Sequence, residues 1–203
     1  MFGINTKKRI HEPVEQQRKE LLDSIDESFR DVLEPKFING LDCDQLPGGT
    51  GSFGSPDNPI PVNGLNGEIK YLSKLRGKTG KAVMFHRIGS VHSNVCEDPV
   101  DWYEIVCIDG TQWNWLYFDL YHPRRSNITP QGYTLMPFNK KLGIDPPYGF
   151  GTNTLVSSFP QDLPEAILSA YGDSLGMALS RQVEEYLRKN NFNRPDSLNN
   201  RNT

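Results

Sequence analysis

With 203 residues, 36% of them hydrophobic and 23% charged, the chain has the length and apolar content of one domain with a continuous core. Its formal net charge of −3 excludes a general nucleic-acid binder, which needs a basic excess to displace counterions from phosphates. No apolar run approaches the ~20 residues that cross a bilayer, so no membrane helix is expected.

The opening "MFGINTKKRI" has basic residues but no apolar stretch after them, unlike a secretory signal, and the expected location is cytoplasmic. Cys43, Cys96 and Cys107 are an odd number with no C-x-x-C pair, which fits reduced thiols in that compartment.

The first element spans residues 14–34. Val14, Leu21, Leu22, Ile25, Phe29, Val32 and Leu33 keep the spacing of one helical face, Pro13 suits the first turn, and Pro35 is expected to stop the helix. The stripe predicts a docked helix, its partner either the body of the same domain or a second chain.

Residues 39–67 are rich in Gly, Pro, Asn and Asp and are expected to be irregular. Within them Gly49, Gly51 and Gly54 spell G-x-G-x-x-G. A phosphate-cradling version of that motif needs a strand before the glycines and a helix after them. Here "LDCDQLPG" precedes, and Pro56 and Pro59 follow. The motif therefore predicts a surface loop, not a nucleotide site.

The middle of the chain has β character. Strands are expected over 69–75 and 82–88, then over 100–108 and 111–120 about Asp109-Gly110, a strong hairpin signal. A two-residue loop there pairs Ile108 with Thr111, Val106 with Trp113, Glu104 with Trp115 and Trp102 with Tyr117. Both faces of this hairpin are apolar, so it should lie between two layers. Short extended pieces follow at 133–138 and 152–159.

Asp162 with Glu165 reads as a capping box opening a C-terminal helical segment over 163–189, with Gly172-Asp173 a point where one helix can end and another begin. Residues 190–203, with six asparagines and little that is apolar, are expected to be a disordered tail after a single domain over 1–189.

The chemistry-bearing candidates cluster at the ends of the expected strands, while His11 is read as simply solvated. His86, Asp119 and His122 would form an acid–base set and Arg87, Arg124 and Arg125 an anion clamp, provided one sheet end gathers them. Without that convergence the arginines are structural ion pairs. Zinc is not expected from His86, His92, Cys96 and His122, because their H-x₅-H and H-x₃-C spacings match no usual ligand arrangement. No cofactor motif is present.

Glu104 stands among aromatic residues. It is either a buried acid with a raised pKa or, in the preferred reading, a carboxylate reaching a basic residue at an edge. Trp102, Trp113 and Trp115 are core residues, or else an interaction surface.

The expected fold is α+β, with a central, mainly antiparallel sheet flanked by the N- and C-terminal helices and long Gly/Pro-rich loops. The preferred function is a non-enzymatic binding or protein-interaction protein. The alternative is a hydrolase or transferase acting on an anionic small substrate through the His/Arg/Asp set. The partner is accordingly an unidentified protein or an anionic small molecule, with no nucleic acid or membrane, and a homo-oligomer is compatible with the sequence.

Overall fold

A computed structural model describes residues 12–137 and 148–198, so His11 lies outside the described residues. In chain order the elements are α1 (Val14–Ser24), α2 (Glu27–Asn39), β1 (Ile60–Pro61), α3 (Gly64–Lys74), β2 (Leu75–Arg76), β3 (Val83–Val91), β4 (Val100–Cys107), β5 (Trp113–Asp119), β6 (Thr134–Leu135), β7 (Phe150–Thr152), α4 (Leu163–Tyr171) and α5 (Asp173–Lys189). A 3-10 turn follows at Asp196–Leu198. The fold is α+β, built on a five-stranded sheet in the order β1-β5-β4-β3-β7. The three central strands pair antiparallel and both edge strands pair parallel, so the sheet is mixed.

The hairpin keeps the expected register but not the expected turn. Val106 pairs with Trp113, Glu104 with Trp115 and Trp102 with Tyr117. A two-residue type I′ turn would need positive φ at both Asp109 and Gly110, and only Gly110 has it, at 72°. Instead the Gly110 N–H donates to the Cys107 carbonyl at 2.8 Å, and the Cys107 N–H donates to the Gln112 carbonyl at 2.8 Å. Four residues turn the chain where two were expected, and the pairing beyond them is unchanged.

Each face of the sheet has its own core. Phe85, Tyr103, Ile105, Leu116 and Phe118 pack with Tyr71 and Leu72 of α3 on one side. Met84, Val106 and Trp113 pack with Ile167 of α4 and Val183 of α5 on the other. Between these layers β4 is buried along its whole length. A fully buried Phe or Leu contributes about 1.5–3 kcal/mol relative to an exposed one.

Several expectations change. Residues 69–75 are not a strand, because Leu65, Ile69 and Leu72 keep helical spacing within α3. The predicted 14–34 helix breaks at Ile25-Asp26, where the Asp26 carboxylate accepts from the Ser28 N–H at 2.9 Å and caps a new helix. Pro35 lies inside α2 and does not end it.

α1 packs on α3. Gly64 makes that approach possible: a Cβ there would lie 2.4 Å from Leu21 Cδ1, and its φ is 74°. The Asp162 carboxylate accepts from the Ser158 N–H, before the helix, so the expected capping box is not made. Gly172, with φ 74°, separates α4 from α5.

The expected disordered tail is docked as far as Leu198. Phe192 and Leu198 join the second core, and the Asn190 amide donates to the Ile108 carbonyl at 3.0 Å. Residues 199–203 lie outside the described residues.

The glycine-rich loop is structural. The Gly54 carbonyl accepts from the Tyr117 N–H at 3.0 Å, satisfying the free edge of β5 beside the short β1. No helix follows its glycines until α3, ten residues on.

Candidate functional site

A groove of about 870 Å³ opens between the α1–α2 arm and α4, a size suited to small-molecule sites. One wall is the stripe Leu21, Ile25, Phe29, Leu33 and Phe37, which continues across the break between α1 and α2 at four-residue spacing. The face expected to dock on the body of the domain does so at Leu21 and Phe37, and the same stripe lines the groove. Leu65 and Ile69 of α3 add to it, and Tyr148, stacked edge-on to Tyr171 at 5.2 Å, stands opposite. Phe29 is 61% and Leu65 47% exposed, which is unusual for apolar groups on packed helices.

The polar floor comes from one end of the sheet. Asp101 faces Ser90, and a bulge at Arg87/Gly89 places Arg87 and Ser90 together beside it. Arg87 Nε donates to Asp101 Oδ2 at 2.8 Å and Nη2 to Oδ1 at 2.7 Å, while Ser90 Oγ donates to Oδ1 at 2.8 Å. This pairing raises the guanidinium pKa further. The Nη1 edge has no hydrogen bond among the described residues, and the side chain is 30% exposed to the groove. An anionic group approaching along the apolar wall would meet that edge.

Behind the floor lies Glu68, fully buried on α3. Burial pushes its carboxyl well above the usual range, and the neighbouring Asp101 charge adds to the effect. Tyr103 Oη donates to its Oε2 at 2.9 Å, and Oε1 has no hydrogen-bond partner among the described residues.

The residues singled out in the sequence do not form one site. His86 is fully buried on the face opposite Arg87. The Val156 N–H donates to its Nδ1 at 3.1 Å, so a ring proton belongs on Nε2, 3.5 Å from Glu104 Oε2. His122 and Asp119 do meet, with Nε2 to Oδ2 at 2.9 Å, and the other ring nitrogen faces the Leu41 carbonyl at 2.8 Å. Asp119 is four residues along from Trp115, the residue level with His86, and two strands across. That places the pair roughly 13 Å along and 10 Å across from His86.

Arg124 is spent on Asp42 and Asp44, and Arg125 on Glu12. A cavity of about 50 Å³ beside Arg125 has room for a few waters and no larger ligand. Of the six proposed acid–base and anion-clamp residues, Arg87 alone reaches the groove.

Trp102 and Trp113 are 7% and 8% exposed, core residues and not a surface platform. Cys96 Sγ lies 3.4 Å from Asp119 Oδ2, and burial followed by that charge pushes its thiol up to about 12, which disqualifies it as a nucleophile at neutral pH.

Glu104 reaches a basic residue, as the preferred reading expected, but in the middle of the sheet. Oε1 accepts from Trp113 Nε1 at 2.8 Å and from Arg194 Nε at 2.6 Å, and Oε2 accepts from Arg194 Nη2 at 2.9 Å. Burial alone would raise its carboxyl, but His86, Arg194 and Trp113 together hold it down at about 2. The His86 contact, at 3.5 Å, is long, so Arg194 and Trp113 carry most of that effect.

Sequence reasoning missed Asp101, Glu68 and Arg194. Asp101 stood in the predicted hairpin strand as an acid among apolar residues and was the one local signal available. Comparison with protein families, with curated proteins and with solved structures returns no match.

Proposed function

We propose that this protein is a non-enzymatic binding protein whose groove takes an elongated, largely apolar molecule ending in an anion. One observation carries the reading: a long apolar wall, partly exposed, leads to a guanidinium edge with no acceptor among the described residues. Apolar area supplies the affinity of such a site and one placed polar group supplies orientation. Asp101 fixes the guanidinium plane, so that little side-chain entropy is lost when the free edge is used.

The separation of His86 from Asp119 and His122, and the pairing of Arg124 and Arg125, remove the geometric premise of the catalytic alternative. A reducing, cytoplasmic setting belongs to the same proposal, in keeping with three free thiols. A protein partner is the second reading, favoured by Val32 and Ile38, which are 64% and 50% exposed on α2.

Thermal unfolding against aliphatic and aryl carboxylates, with alcohols and amines of the same bodies as controls, tests the proposal. A ligand at 100 times its dissociation constant stabilises by about 2.7 kcal/mol, a shift of roughly 5–11 °C for a chain this size. Carboxylates should shift the midpoint, alcohols less, and amines least. Equal shifts with all three, or none, would refute the anionic end.

A further inference from the structure

The segment after α5 is attached in an unusual way. From Asn191 to Leu198 its backbone makes one local hydrogen bond, Leu198 N–H to Pro195 carbonyl, and none to the backbone of the sheet or helices among the described residues. It is held by side chains. Phe192 and Leu198 enter the second core and Arg194 reaches Glu104, while the chain crosses the hairpin turn where a Cβ on Gly110 would lie 2.4 Å from the Asn191 carbonyl. Beneath it lies a carboxylate that is 1% exposed and takes two hydrogen bonds from one guanidinium. The surrounding indoles hold unused donors: Trp102 Nε1 and Trp115 Nε1 are buried without hydrogen-bond partners among the described residues.

A buried carboxylate needs a cation, and here the cation arrives on a segment with no backbone–backbone hydrogen bond to what it covers among the described residues. Such a segment is a candidate for opening on its own, at a fraction of the global unfolding free energy. When it lifts, the sheet presents an ionised carboxylate at the end of an indole wall, with apolar recesses where Phe192 and Leu198 had been. Geometry of that kind selects a planar guanidinium over an ammonium, because two parallel N–H donors meet two oxygens.

We infer that the pocket around Glu104 is an arginine-recognition site, closed in cis by Arg194, for an extended peptide with an aromatic residue two before the arginine and an aliphatic one four after it. The pattern is that of the chain's own segment, Phe192-x-Arg194-x-x-x-Leu198. The site lies on the face of the sheet opposite the groove floor and is independent of it.

The test uses the full chain and a labelled nine-residue peptide with the sequence of residues 190–198. The wild-type chain, its pocket filled, should bind the peptide weakly. Arg194→Ala should bind it at least ~10-fold more tightly, the effect of one charged hydrogen-bonded contact, and a peptide with alanine for its arginine should lose that gain.

Ethylguanidinium at millimolar concentration provides a second readout. It should recover much of the midpoint lost in Arg194→Ala, roughly 10 °C, and leave the wild type and a Glu104→Gln, Arg194→Ala chain unmoved. Ethylammonium should do less. Should Arg194→Ala fail to fold, Arg194→Lys keeps the charge but not the two-point contact and takes its place in both measurements. Equal peptide affinity for wild type and variant, or no guanidinium-specific recovery, overturns the inference.

Discussion

Each face of the sheet buries a glutamate, and the two carboxyls are shifted in opposite directions. Glu104 and Glu68 are both fully buried, on opposite faces of the sheet. Glu104 faces Trp113, Arg194 and His86, and its carboxyl is held at about 2. Glu68 has one hydrogen-bond donor among the described residues, Tyr103, and a second carboxylate, Asp101, close by, so burial and that neighbouring charge push its carboxyl well above the usual range. Burial is common to both and cannot explain the difference. The number and charge of hydrogen-bond donors decides which buried acid ionises. The ionised one ties the C-terminal segment to the sheet. Beside Glu68, Asp101 takes two hydrogen bonds from Arg87 at the groove floor.

The largest expected effect comes from removing the cation on the ionised side. Arg194→Ala should cost about 3–5 kcal/mol, because a buried carboxylate loses its partner. A Glu104→Leu, Arg194→Leu double variant should recover part of that loss, as measured by denaturant unfolding. If the single variant costs under ~1 kcal/mol, Glu104 is not the charge that the segment neutralises.

Acid is the next lever. A carboxyl held at about 2, against an ordinary value near 4.5, stabilises by roughly 3 kcal/mol at neutral pH. The depressed value means that this contribution is present above pH ~4.5 and is lost as the pH falls toward 2. Unfolding midpoints in urea between pH 6 and 2.5 should show that loss, and it should be absent from Glu104→Gln.

The smallest change is expected at Glu68. A raised carboxyl has the reverse linkage: folding holds a proton that the unfolded chain releases above pH ~4.5, so its effect on stability worsens as the pH rises. Glu68→Gln should be at least as stable as wild type at pH 8, with the gap closing by pH 4.5. A gap that widens in acid would place the charge on the wrong glutamate.

The hairpin register was legible because Asp109-Gly110 is a local signal and the strands on both sides of it are long. The two apolar faces of Val100–Cys107 likewise announced a strand between layers. Local signals misled where two periodicities overlap. Ile69, Tyr71, Ser73 and Leu75 alternate like a strand, while Leu65, Ile69 and Leu72 recur like a helix, and packing on Phe118 through Tyr71 decides for the helix. The cap that Asp26 forms with Ser28 lies within the apolar stripe of residues 14–34, whose spacing runs unbroken across it.

The site was barely legible. Arg87 was singled out, but its partner Asp101 is set by cross-strand pairing and a bulge that no neighbouring residue signals. Glu104 and Arg194 are 90 residues apart, and the asparagine-rich composition around Arg194 pointed to disorder. The groove arises from how α1 and α2 stand relative to α4, and one stripe cannot specify whether its partner is a core or a ligand.

Calorimetric titration of octanoate and octanol into the wild-type chain, Leu65→Glu and Phe29→Glu tests the binding reading most directly. Both substitutions fall on exposed positions, so stability should change by about 0.5 kcal/mol or less. Octanoate should bind the wild type at least ~10-fold more tightly than octanol, the worth of one charged hydrogen bond to Arg87, and both glutamate variants should lose it. Equal affinity for acid and alcohol, or octanoate binding unchanged in both variants, would contradict a groove that pairs an apolar wall with a guanidinium end.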